Sequence, residues 1–120
     1  MAYTKYVTVP IDTNVSGDTT LVDFSTSVST FIDNTQYIDT TKLRIFVINY
    51  VVNTAGANAV KFVSGSTDLT GPMSLAIDGN TIGAFSKREF PVLTCGQNED
   101  LIINLSSAVQ ISGHLSYFIG

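Results

Sequence analysis

Residues 43–53 read LRIFVINYVVN, a run in which Leu, Ile, Phe, Tyr and Val crowd both faces of an extended chain. A strand with one wet face alternates apolar with polar; a strand covered on both sides does not. The run therefore predicts a long central strand. Working outward, 54–59 (TAGANA) is a turn, and VKFVS (60–64) alternates again. SGSTDLTGP (64–72) reads as a connector, its glycines allowing a tight backbone and Pro72 setting up the next strand. Asp68 and the neighbouring hydroxyls are expected to cap local N–H groups. MSLAID (73–78) is a strand, DGN (78–80) a hairpin signal, and TIGAF (81–85) its return. PVLTC (91–95) is a short strand, GQNED (96–100) a turn and LIINLS (101–106) a strand.

The last strand, VQISGHLSYFI (109–119), sets Val109, Ile111, Gly113, Leu115, Tyr117 and Ile119 against Gln110, Ser112, His114, Ser116 and Phe118. Gly113 marks a bulge or the close approach of another backbone. Upstream, 3–9 alternates as a strand that Pro10 ends. DTNVSGDTT (12–20) is a polar loop, followed by the short apolar run LVDF (21–24). In 25–42, Val28, Phe31 and Ile32 have helical spacing among Ser and Thr residues that compete for backbone hydrogen bonds. This part reads as irregular, with a single helical turn or one short strand. The sum is one all-β domain over 1–120. It is an antiparallel β-sandwich of about eight to ten strands, jelly-roll-like or another Greek key, with an N-terminal strand or arm at about 1–10.

Composition narrows the function. Charged residues are 13% of the 120, about half the usual share, and net charge is −4. The six basic residues are scattered, so no surface is expected to release counterions from nucleic acid. No apolar run reaches the ~18 residues of a membrane span. The first residues alternate like a strand rather than a leader, so cytoplasmic synthesis and no glycosylation at Asn14 or Asn104 are expected. Cys95 is the single cysteine and His114 the single histidine. A Cys95–His114 dyad lacks a third, orienting group, and the pair falls short of a zinc site. Asp12, Asn14, Ser16, Gly17 and Asp23 stand at positions one, three, five, six and twelve of a calcium-loop pattern, with Asp18 at seven. Asp in place of the terminal Glu, and flanks that read as strands, make this a weak candidate. Glu99 and Asp100 would point to opposite sheet faces, unlike a glycosidase pair. No enzyme, no cofactor and no small-molecule ligand is expected.

Two blocks carry a resemblance: VKFVSGSTDLTGPMSLAIDGN (60–80) and GQNEDLIINLSSAVQISGHLSYFIG (96–120). In this order, over residues 43–120, the chain resembles small β-sandwich proteins of tailed bacteriophages and prophages found among virion structural genes. It departs from several relatives in having REFPVLT (88–94) where they carry a tryptophan-containing segment, and its N-terminal third matches poorly. The resemblance implies a virion component on the capsid surface, a decoration or cement protein. Such a protein sits as a homotrimer across neighbouring major capsid protein subunits and stabilises the head. Tyr3, Tyr6, Val7 and Val9 of the N-terminal arm are expected to meet a partner, by strand addition or by packing on the capsid. Tyr117, Phe118 and Ile119 are expected to pack near a trimer axis or into the core. The alternatives are a tail-fibre or baseplate receptor-binding domain and a lectin-like carbohydrate-binding module, for which Tyr3, Tyr6, Tyr37 and Tyr50 would supply aromatics.

Overall fold

The central strand forms with neighbours on both of its edges, but the second sheet covers only its inner face, and Phe46, Ile48, Asn49, Val51 and Asn53 lie on the partly exposed outer face. In a computed structural model that describes residues 5–32, 38–84 and 90–120, β3 (Ile45–Thr54) lies between β10 (Ile111–Ile119) on one side and β7 (Asn80–Ala84) and β8 (Leu93–Thr94) on the other. On the far side of β10 runs β1 (Val7–Thr13), which completes the first sheet. The second sheet has the order β2 (Gly17–Val22), β9 (Leu101–Leu105), β4 (Asn58–Ser64), with β5 (Thr67–Asp68) and β6 (Met73–Leu75) both pairing β4. All pairings are antiparallel.

The fourth place in each sheet is split between two short strands: β7 and β8 in the first, β5 and β6 in the second. Counting each split pair once leaves eight strand positions. Their orders are then 1-8-3-6 and 2-7-4-5, with every successive connection from position 1 to position 8 crossing between sheets except 4 to 5. That double Greek-key order is the jelly roll, and it resolves the topology that strand spacing left open.

Alternation puts Ile11, Ile45, Val47, Val52, Ile111 and Leu115 of the first sheet against Val60, Phe62, Leu101, Ile103 and Leu105 of the second, all essentially buried. Tyr50 and Phe62 meet across the core with ring centroids 4.7 Å apart. Among the described residues the irregular stretch is realised as one turn of helix, α1 (Phe24–Ser27), and the 3₁₀ turns Val28–Thr30 and Thr40–Lys42. Phe24 and Val28 close the core from there, and Phe31 packs on Tyr117 at 5.6 Å. Asp23 caps α1, accepting hydrogen bonds from the Ser25 and Thr26 N–H groups.

Three local expectations are corrected. Pro10 does not end the first strand: β1 runs through it to Thr13, with Pro10 opposite His114. This is possible because β1 is an edge strand, where a missing N–H can face solvent. The supposed polar loop 12–20 is mostly strand, leaving only 14–16 as the turn between β1 and β2. The Asp78-Gly79 turn is real, with Asp78 at φ 61° and Gly79 N–H donating to Ala76 O at 2.8 Å, but it makes no hairpin. Its flanking strands pair with different sheets, so the chain crosses the sandwich there.

Four such crossings, 14–16, 55–57, 76–79 and 106–110, gather at one end of the sandwich. Asp78 N–H donates to Thr54 O, and Ala55 N–H donates to Gln110 O. Buried Asn58 donates to Ser107 O and Val109 O and accepts from Ser106 Oγ and Ser107 N–H, which ties two of these turns together.

Candidate functional site

The residues singled out from sequence separate sharply once the sheets form. Val7 and Val9 point inward and pack against the core, as do Tyr117 and Ile119, which are 4% and 5% exposed. Tyr117 and Ile119 thus take the core alternative of their expectation, and Val7 and Val9, expected as partner contacts, are half-buried against the core. The period of two forces this: they share a face with Ile11 and Leu115. Tyr6 and Phe118 lie on the opposite parity, on the outer face of the first sheet, Tyr6 being 57% exposed and Phe118 stacked on Phe46 at 4.9 Å. Tyr3 and Tyr37 lie outside the described residues, and Tyr50 is in the core.

The outer face of the first sheet is the one surface where unusual side chains converge. Register places Phe118 beside Phe46, Ser116 beside Asn49, and His114 beside Val51, with Thr8 and Pro10 following on β1 and Ile82 on β7. β3 spends one extra residue here. Consecutive Ser116 and Tyr117 pair with Asn49 and Val47, so Ile48 bulges out of the ladder. The bulge sits where the neighbouring strand changes from β7 to β8. It opens a shallow depression of about 390 Å³ lined by Tyr6, Thr8, Ile48, Asn49, His114 and Ser116. Thr8 and Ser116 share a hydroxyl–hydroxyl hydrogen bond of 2.8 Å across its floor. None of the lining side chains is a carboxylate, ammonium or guanidinium. Of these residues only Tyr6 is expected from sequence as a contact; Asn49 and Ile48 carry no signal until the bulge forms.

The outer face of the second sheet is of opposite character. Asp18 accepts from Asn104 Nδ2 at 2.7 Å, and Lys61 pairs with Asp68 at 3.1 Å. Asp68 thus holds a lysine rather than capping the connector. The capping there falls to Thr70, whose Oγ1 accepts from Phe62 N–H at 3.1 Å.

The calcium pattern is taken apart by the fold. Asp12 is on β1 and accepts from Gln110, Asp18 is on β2, Asp23 caps α1, and Asn14 and Ser16 stay in the intervening turn. The ligands of a continuous loop are thereby sent to two sheets and a helix. Among the described residues no three His, Cys, Asp or Glu side chains gather as a metal set, and no helix among them is long and apolar enough to cross a membrane. Cys95 and His114 lie on opposite sides of the first sheet, the thiol 1% exposed in the core and the imidazole outward. Burial pushes the Cys95 thiol up to about 11, with the Glu99 and Asp100 carboxylates adding to the rise against a Ser64 hydrogen bond. A thiol so placed is no nucleophile at neutral pH.

Glu99 and Asp100 also have structural partners. Ser64 Oγ donates to Glu99 at 2.7 Å and accepts from Gly96 N–H at 2.9 Å, while Asp100 accepts from Phe24 N–H at 2.8 Å. The Glu99 carboxylate lies where side chains at Gly65 and Gly96 would be. These acids clamp connector 64–72 to the turn before β9. No family model, no curated protein and no solved structure matches the chain.

Proposed function

We propose that the protein is a structural virion component, a capsid decoration protein that binds as a homotrimer across neighbouring major capsid protein subunits. The reading rests on the two sequence blocks given above and on one structural observation, the polarity of the sandwich. The four crossing turns at one end hold mostly small, apolar and amide residues with Asp78 as their one charged side chain, while Asp12 and Asp18 lie on the strands just beside them. There Val15 and Ile77 are 54% and 68% exposed. The other end holds Asp23, Asp39, Lys42, Glu99 and Asp100. A tip with few charges buries against a partner at a smaller desolvation cost than the more heavily charged end does.

Strand addition by the described edges is disfavoured. β1 carries Pro10, β2 is bulged at Leu21, and the other two edges are split into short strands. Contact through the tip uses none of these edges.

The test is co-sedimentation with expanded heads and, separately, with isolated tails. Val15→Asp combined with Ile77→Asp is expected to cut head binding at least tenfold with unchanged Tm. Unaltered head binding by the variant overturns the assignment of the tip. Binding to tails and not heads overturns the decoration reading, and a monomer at micromolar concentration in ultracentrifugation overturns the trimer.

A further inference from the structure

We propose that the depression at the Ile48 bulge is a binding site for a neutral hexose unit of a glycan. The site departs from the expectation of no small ligand, and it is independent of the tip assigned to the capsid. A pyranose ring offers an apolar C–H face and a rim of hydroxyls that both donate and accept. Its receptor needs an exposed aromatic flank, planar side chains with donor and acceptor together, and no net charge whose desolvation the sugar cannot repay.

The depression meets each requirement. Tyr6 stands 57% exposed beside it, an amphipathic ring with its hydroxyl at the tip. Asn49 brings a carbonyl and an amide, and His114 a ring with one donor and one acceptor when neutral. Neither side chain has a hydrogen-bond partner among the described residues. On the floor, Thr8 and Ser116 bond to each other. One hydroxyl proton and several lone pairs are left for a ligand. Ile48, pushed out by the bulge, supplies the apolar side opposite the ring. The volume of about 390 Å³ is open and shallow, which suits one sugar with its glycosidic oxygen leading out to the rest of a chain.

Competing ligands fit less well. An anion would need a cation or a row of free N–H groups. The nearest cation in sequence, Lys5, is held to Thr30 O at 2.5 Å. A wholly apolar ligand would strand the Asn49 and Ser116 polar atoms without partners.

The experiment is a ¹H–¹⁵N NMR titration of the intact chain with the methyl glycosides of glucose, galactose, mannose and N-acetylglucosamine, with glycerol as the control polyol. At least one glycoside is expected to give saturating shifts centred on Tyr6, Asn49 and His114, with Kd on the order of 1–10 mM as fits one small shallow subsite. Tyr6→Ala and Asn49→Ala, both on exposed or half-exposed positions, should keep the folded spectrum and weaken binding at least tenfold. The proposal is overturned if no glycoside shifts these residues, if glycerol shifts them equally, or if both variants bind as the parent does. Since the protein is titrated without capsids, failure here leaves the head-binding result standing, and the reverse also holds.

Discussion

Gly113 sits in the middle of β10 at φ 155°, and a Cβ built on it runs into the carbonyl group of Val51 on the adjacent strand. The obstacle is backbone inside a three-strand ladder, so neither partner can turn aside. Gly113→Ala is expected to cost about 3 kcal/mol or more, read as a fall in the urea midpoint. Gly71 has open space around its Cβ direction, and Gly71→Ala should stay within about 0.5 kcal/mol of the parent. Equal effects at the two sites would refute the account. Cys95 gives a second residue-scale test through its thiol, raised from an ordinary 9.0 to about 11 chiefly by burial. Below pH 9 both folded and unfolded chains keep the proton. Between 9 and 11 the unfolded chain loses it and the folded chain does not, so stability falls as pH rises through that window. The loss is about 2–3 kcal/mol, at roughly 1.4 kcal/mol per pH unit. Cys95→Ala should remove this slope from the difference between the two proteins, because the tyrosines and lysines titrate in both. A parallel pair of stability–pH curves would contradict it.

At the scale of elements, β1 decides what the N-terminus is for. Val7–Thr13 pairs residue by residue with Tyr117–Ile111, and Val9 and Ile11 enter the core from it. A chain lacking residues 2–5 keeps every pair of that ladder and should fold with little change in Tm. One lacking 2–10 loses Val7, Thr8, Val9 and Pro10 opposite β10 and uncovers Leu115 and Tyr117. It should melt at a markedly lower temperature or fail to fold, and a parent-like Tm would show that β1 adds nothing. The sequence made this strand legible as alternation but hid its end, since Pro10 reads as a stop unless the strand is known to be an edge. The same limit explains the Asp78-Gly79 turn. Local chemistry specifies the tight turn correctly, while which sheet each flank joins is set by pairing with β3 and β4, distant in sequence. The core was legible from Leu43–Asn53 and from the parity of 109–119. The depression was not, because it depends on one unpaired residue, Ile48, whose displacement appears only when β3 is laid against β10.

For the whole molecule, the jelly-roll order places the most distant parts of the chain side by side. Val7 faces Tyr117, Asp18 faces Asn104, and Ile45 faces Ile119, while the shorter-range pairings of β4 with β5 and with β6 are two and three residues long among the described residues. Apart from β4, β5 and β6 in the second sheet and β7 and β8 in the first, each sheet is assembled from strands that are not consecutive in the chain. Most native pairs therefore close long loops before any gain from burial is realised, and loop closure without local reward is slow. Refolding from urea is accordingly expected in milliseconds to seconds or slower, as for other sandwiches with non-local pairing. Gly113→Ala, in the strand that bridges β1 and β3, should slow it, whereas the tip variant Val15→Asp should act chiefly on unfolding, if at all. Stopped-flow fluorescence of the five tyrosines reads both limbs. Sub-millisecond refolding, or a Gly113→Ala effect confined to the unfolding limb, would mean that the β1–β10–β3 ladder forms after the rate-limiting step rather than within it.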